Sequence, residues 1–118
     1  MSYSKPKFKE EYSNFINGKF VAPLGGQYFE NTSPIDNSLI AKYPRSQKED
    51  VELAAKAASD AFPDWSKTPK NKRSEILLRL ADLIDKNLDE LAKAEAMDNG
   101  KPYKLATRVD IPRASANI

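Results

Sequence analysis

One change of period, at Ser46, decides most of what this chain can fold into. Before it, apolar residues come in short alternating stretches separated by turn residues; after it, they recur at three- and four-residue intervals. Those are the spacings of strand and helix respectively. In the first part, Phe15-Ile16-Asn17-Gly18-Lys19-Phe20-Val21 carries Asn-Gly at its centre, the strongest short-range hairpin signal. Pro23 and Gly25-Gly26 interrupt it, Tyr28-Phe29 opens a stretch running to about Thr32, and Ser33-Pro34 with Asp36-Asn37-Ser38 forms the next turn. Leu39-Ile40-Ala41-Lys42-Tyr43 reads as a strand closed by Pro44. The expectation is three short strands in an antiparallel ribbon or edge sheet.

The second part predicts helices. Ser46-Gln47-Lys48-Glu49 matches a capping box with Ser46 as the cap, and Val51, Ala54, Ala55, Ala58 and Phe62 follow on one face, with Pro63 ending the run. Thr68-Pro69 starts a second helix whose stripe is Ile76, Leu77, Leu80, Ile84, Leu88 and Leu91, continuing to Ala94 and Met97. Asn99-Gly100 supplies a left-handed C-terminal cap and Pro102 blocks continuation. A short third helix is expected from Tyr103 to Ile111, ahead of Pro112. The pattern is three short strands, then two long helices and one short one.

Absent residue types exclude whole classes of chemistry. The 118 residues contain no cysteine and no histidine. No disulfide, thiolate nucleophile, imidazole base, zinc site of the Cys/His kind or Ser–His–Asp triad can arise within the chain. With 19 basic and 17 acidic residues the net charge is +2, too small to steer the chain to nucleic acid or an anionic membrane. No eighteen-residue apolar run suggests a membrane span. Met1–Phe15 has no apolar core of the secretory kind, so the expected location is cytoplasmic. The chain reads as a soluble domain and not a complete enzyme.

Several clusters have a chemical and a plain reading. Lys67, Lys70, Lys72 and Arg73 resemble a phosphate or nucleic-acid patch, but without interleaved aromatics they read as a solvated turn. Trp65, near Phe62 and Tyr43 in sequence pattern, is expected to seal the first helix onto the strands. Asp82, Asp85, Asp89 and Glu90 follow one side of the second helix and read as a solvent face, since a straight helix is no cation loop. Asn14, Asn17 and Gly18 are explained by turn chemistry. Asp98 differs: it stands at a helix end, where unpaired carbonyls and the negative dipole end attract cations.

Taken in order, these segments resemble the N-terminal part of the aldehyde dehydrogenase superfamily. Phe15–Val21 with Tyr28-Phe29-Glu30-Asn31-Thr32-Ser33-Pro34 is similar to the family's opening strands. Asp50-Val51 through Ala54-Ala55 and Ala57-Ala58 to Phe62 and Trp65 resembles its first helix. Arg73-Ser74-Glu75-Ile76-Leu77-Leu78-Arg79-Leu80-Ala81-Asp82-Leu83-Ile84 resembles the next, and Glu95, Asp98, Gly100, Lys101 and Pro102 match its "E..D.GKP" signature. The resemblance covers roughly residues 13–112. It implies an α/β, aldehyde dehydrogenase-like fold. Residues 1–13 would be a flexible arm, and residues 14–118 the truncated N-terminal part of a nucleotide-binding domain.

The resemblance also implies NAD(P)+-dependent oxidation of an aldehyde to an acid in the full-length family, by a cysteine nucleophile and a glutamate base. Neither group, nor any cofactor-binding residue, maps onto this sequence, so NAD or NADP and the aldehyde substrate belong to a full-length form only. One site carries over by position: a monovalent cation, K+ or Na+, held by the backbone of Asn31 and Thr32 and the side chain of Asp98. Three departures stand out. Ser33 replaces the family's usual asparagine, Asp36-Asn37-Ser38 replaces a glycine turn, and Arg113-Ala114-Ser115-Ala116-Asn117-Ile118 is polar where the family continues apolar and aromatic, which is expected of a truncated product. The rival expectations are a stand-alone helical interaction module that self-associates through Ile76, Leu80, Ile84, Leu88 and Leu91, and, third, a small nucleic-acid-binding domain.

Overall fold

Asn17 and Gly18 make the hairpin that the dipeptide predicts: both have positive φ, 50° and 75°, as a two-residue type I′ turn requires. They join β1 (Asn14–Ile16) to β2 (Lys19–Val21) as an antiparallel pair with Asn14 opposite Val21 and Ile16 opposite Lys19. This computed structural model describes residues 4–118, and residues 1–3 of the expected N-terminal arm lie outside the described residues. The chain divides into two units. One holds Phe8–Asn31 with Leu39–Thr68; the other holds Thr32–Ser38 with Pro69–Ile118 and residues 4–7.

In the first unit, β3 (Tyr28–Thr32, its last residue excepted) pairs with β4 (Leu39–Pro44), so two separate two-stranded sheets replace the single ribbon of three. The reason is local. The Gly26 amide donates to the Pro23 carbonyl at 2.8 Å, and this tight turn keeps β2 from running on into the next strand. Residues of the N-terminal arm join β4: Glu11 forms a parallel bridge with Lys42, the Tyr12 amide donates to the Lys42 carbonyl, and the Lys42 amide donates to the Glu10 carbonyl, both at 2.9 Å. Ile40 and Ala41 are buried, and the Tyr12 and Tyr43 rings stack 5.1 Å apart.

Helix α1 (Lys48–Lys67) begins one residue later than Ser46 predicts. The Ser46 hydroxyl is committed to Asn14 Oδ1 at 3.0 Å. Gln47 is therefore the cap, and its amide donates to Asp50 Oδ2 at 2.9 Å in a capping box shifted by one position. Pro63 does not end the helix, which runs four residues further. Ser59, whose carbonyl loses its usual helical donor to the proline, is exposed, so water can satisfy it.

The second unit is helical: α2 (Lys70–Lys86), α3 (Leu88–Asn99), α4 (Tyr103–Leu105), a π-helical segment over Ala106–Asp110, and α5 (Ile111–Ala116). The single long second helix is thus two, broken at Asn87. Its carboxamide donates to the Leu83 carbonyl at 2.8 Å, so side chain and backbone compete for the same acceptor. The final helix passes Pro112, because the wider π turn just before it absorbs the lost donor and the ring. Ala92, Ala96, Met97 and Ala106 form the buried centre of this unit.

Candidate functional site

The loop Thr32–Ser38 is anchored to the end of α3 by one buried hydroxyl. Ser33 is fully buried; its Oγ donates to the Met97 carbonyl at 2.8 Å and accepts from the Ile35 amide at 3.3 Å. This bond ties the neighbours of Thr32 and Asp98 together. Asp98 occupies the last turn of α3, which ends on Gly100 at φ 78° with its amide donating to the Ala96 carbonyl. A Cβ on Gly100 would meet Pro34 Cγ at 3.1 Å. Glycine is required here both for its left-handed backbone and for the approach of the loop. Thr32 and Asp98 belong to this unit, whereas Asn31 belongs to the other.

Lys101 completes the junction, a role that spacing alone does not reveal. Its ammonium donates to Asp110 Oδ2 at 2.8 Å and lies 2.9 Å from Glu95 Oε1. Asp110 first and Glu95 second hold the lysine above its ordinary pKa. The first and last charged residues of Glu95-Ala96-Met97-Asp98-Asn99-Gly100-Lys101 thus close the turn and fasten it to the end of the π-helical segment. In the loop, the Ser38 hydroxyl and then Lys5 hold the Asp36 carboxyl well below the usual range, with Lys5 Nζ 2.9 Å away.

In the strand unit, Asp50 is the counterpart. It is 3% exposed, and its two oxygens accept from the Gln47 amide at 2.9 Å and the Leu24 amide at 2.8 Å. Those two donors, Gln47 first, lower its pKa. Beside it lies an apolar cavity of about 450 Å³, lined by Ile16, Val21, Leu24, Leu53 and Ala57, with Lys19, Lys56 and Asp60 also on its wall.

The remaining clusters take plain roles. Lys67 ends α1, while Lys70, Lys72 and Arg73 lie in the first turn of α2 and Lys72 pairs with Glu75 at 3.4 Å. The acidic row does not follow one helix: Asp82 pairs with Lys86 on α2, and Asp89 and Glu90 sit in the first turn of α3, where the helix dipole favours them. Asp89 accepts from Lys93 at 2.6 Å and from the Tyr103 hydroxyl, and both lower its pKa. Phe62 and Trp65 are 64% and 40% exposed, so they do not seal α1 onto the strands; Tyr43 stacks on Tyr12 instead. No cluster of three or more carboxylates able to hold a metal occurs among the described residues. None of the described helices is long and apolar enough to cross a membrane.

The glycines stand at 18, 25, 26 and 100, in the hairpin, in the turn before β3 and at the end of α3. Among the described residues no glycine loop joins a strand to a helix N-terminus, the arrangement that cradles a pyrophosphate.

The profile described as "Aldehyde dehydrogenase family" matches residues 20–118. A long-chain-aldehyde dehydrogenase of Acinetobacter sp. is 48% identical over 113 residues, which are 96% of this chain and 22% of that protein. An aldehyde dehydrogenase of Deinococcus radiodurans is 49% identical over 107 residues, 91% of this chain and 21% of that one. The aldehyde dehydrogenase of Bacillus cereus, solved as its NAD+ complex, superimposes with a TM-score of 0.88 at 37% identity, covering 97% of this chain and 25% of that chain. The chain spans about a fifth of the length of these curated relatives and matches their N-terminal part. The opening strands, the helices and the glycine-capped junction at Asp98 therefore have one common explanation: this chain belongs to the aldehyde dehydrogenase family.

Proposed function

We propose that these residues serve as the N-terminal structural segment of a cytoplasmic enzyme that oxidises an aldehyde to a carboxylate with NAD+ or NADP+, and that they carry no turnover of their own. The observation that supports this is the pairing of a family match across residues 20–118 with a chain that holds no cysteine. The reaction in this family needs a thiolate to attack the aldehyde and a base to release the acid. The segment's contribution is positional, through the junctions at Ser33, Asp50 and Lys101. A second reading, a helical module that self-associates, is supported by the apolar face of α2, where Ile76, Leu80 and Leu83 are 47–54% exposed. Because α2 ends at Lys86, that face is shorter than a stripe running on to Leu91 would be.

One exchange experiment separates the readings. Residues 14–118 replace the matching segment of the Acinetobacter relative, and aldehyde-dependent NAD(P)H formation is measured. A chimera that retains turnover supports the structural segment. A folded chimera without turnover, together with concentration-dependent association of the isolated chain, would favour the self-associating module.

The monovalent cation is part of the same proposal. Thr32 ends β3, Asp98 lies in the last turn of α3, and the Ser33–Met97 hydrogen bond supports the placement of these two. Hard oxygen donors suit K+ or Na+. K+ or Na+ in place of choline is expected to raise Tm by a few degrees, and Asp98→Ala to abolish that shift. An equal ion effect in both proteins would remove Asp98 from the site.

A further inference from the structure

The chain holds two Asn-Gly pairs, Asn17-Gly18 and Asn99-Gly100, and the fold treats them in opposite ways. We propose that Asn17 is a site of spontaneous deamidation and backbone isomerisation, and that Asn99 is protected from the same chemistry by its hydrogen bonds. In this reaction the Gly18 amide nitrogen attacks Asn17 Cγ and a C–N bond forms. The Cγ–Nδ2 bond breaks, and ammonia leaves carrying the proton from the glycine nitrogen. Water then opens the cyclic imide. Attack at Cγ gives aspartate, and attack at the main-chain carbonyl gives isoaspartate. No oxidant or reductant takes part.

At the hairpin tip nothing opposes ring closure. Asn17 and Gly18 are exposed, and no atom lies within 4 Å of the place a Gly18 Cβ would occupy. Among the described residues no hydrogen bond engages the Asn17 carboxamide or the Gly18 amide. Around the tip, the charged groups sharing the cavity wall with Asn17 are Lys19 on β2, and Asp50, Lys56 and Asp60 on α1.

Asn99 is also exposed, but both ends of its carboxamide are hydrogen-bonded. Its Nδ2 donates to Glu95 Oε1 at 2.7 Å, its Oδ1 accepts from the Lys101 amide at 2.9 Å, and the would-be nucleophile, the Gly100 amide, donates to the Ala96 carbonyl at 3.0 Å. Pro34 crowds the glycine as well. The carboxamide cannot turn toward Gly100 without breaking these bonds together.

The consequence falls on the hairpin. Isoaspartate adds a backbone methylene to a two-residue turn, and the register of Asn14 with Val21 then fails. Ile16 and Val21, which line the cavity beside α1, move with it.

The full chain is incubated in native buffer and in concentrated urea, and both peptides are followed by mass for the amide-to-acid change. In urea the two sites are expected to convert at comparable rates. In native buffer Asn17 should convert at least about tenfold faster than Asn99, the factor that corresponds to ~1.4 kcal/mol on the barrier. Asn17→Gln, which would have to close a larger ring, should stop conversion at the tip and leave Asn99 unchanged. Equal rates in native buffer, faster conversion at Asn99, or no conversion at Asn17 while it converts in urea would overturn the proposal.

Discussion

Asp50→Ala is expected to lower Tm by on the order of 10 °C. A single buried carboxylate satisfies the Gln47 amide at the start of α1 and the Leu24 amide in the loop after the hairpin. Alanine leaves both donors without a partner and loses the favourable charge at the helix N-terminus. Asp50→Asn should fall between, because a carboxamide keeps only one acceptor oxygen. The pH dependence has a definite sign. Asp50 has a depressed pKa in the folded chain, so its stabilisation is fully present above the unfolded carboxyl value of ~3.9. It is lost as pH falls through the lower folded value. Thermal melts should therefore show wild type and Asp50→Asn converging below pH ~4. A gap that stays constant through that range would mean that the charge of Asp50 contributes nothing.

Ala96→Leu tests the other unit and is expected to cost about 3 kcal/mol, the upper part of the usual overpacking range. Ala92 and Ala96 lie one helical turn apart on α3, and Ala106 opens the π-helical segment; all three are 0% exposed. Three methyl-sized side chains at the centre let the backbones approach, and a leucine has no space to enter without displacing one element. Ala114→Leu on α5, where the side chain is exposed, should stay within about 0.5 kcal/mol. Urea unfolding of the two variants gives the comparison. Equal losses would mean that the small residues of α3 are not a packing requirement.

The parts of this fold that were legible in the sequence are those in which one residue type decides the backbone. Asn17-Gly18 fixes the hairpin and Gly100 the end of α3, because few residues accept positive φ. The breaks and continuations were not legible, since each depends on a partner remote in sequence or on solvent. The stripe from Ile76 to Leu91 keeps helical spacing across Asn87, so periodicity cannot show that the helix is broken there. Ser46 has the right chemistry to cap α1, but Asn14, thirty-two residues away, takes its hydroxyl. Pro63 and Pro112 are helix breakers by rule; an exposed carbonyl in one case and a π turn in the other remove the penalty.

The candidate site divides in the same way. The helix end that carries Asp98 was visible from Asn99-Gly100. The bonds that organise its surroundings, Ser33 to Met97 and Lys101 to Asp110, join positions that no local pattern connects. Ser33 even reads as a departure from the family, yet its hydroxyl holds the loop to α3.

The chain carries the fold of an aldehyde dehydrogenase segment, and we propose that it turns over no aldehyde by itself. The most direct test incubates the purified 118-residue chain with short- and long-chain aldehydes and NAD+ or NADP+, and follows reduced cofactor against a parallel preparation lacking the chain. With no cysteine to form the covalent intermediate, reduction should not rise above the buffer rate at any aldehyde concentration. Reproducible turnover that scales with the amount of chain and is absent from the control would contradict the account.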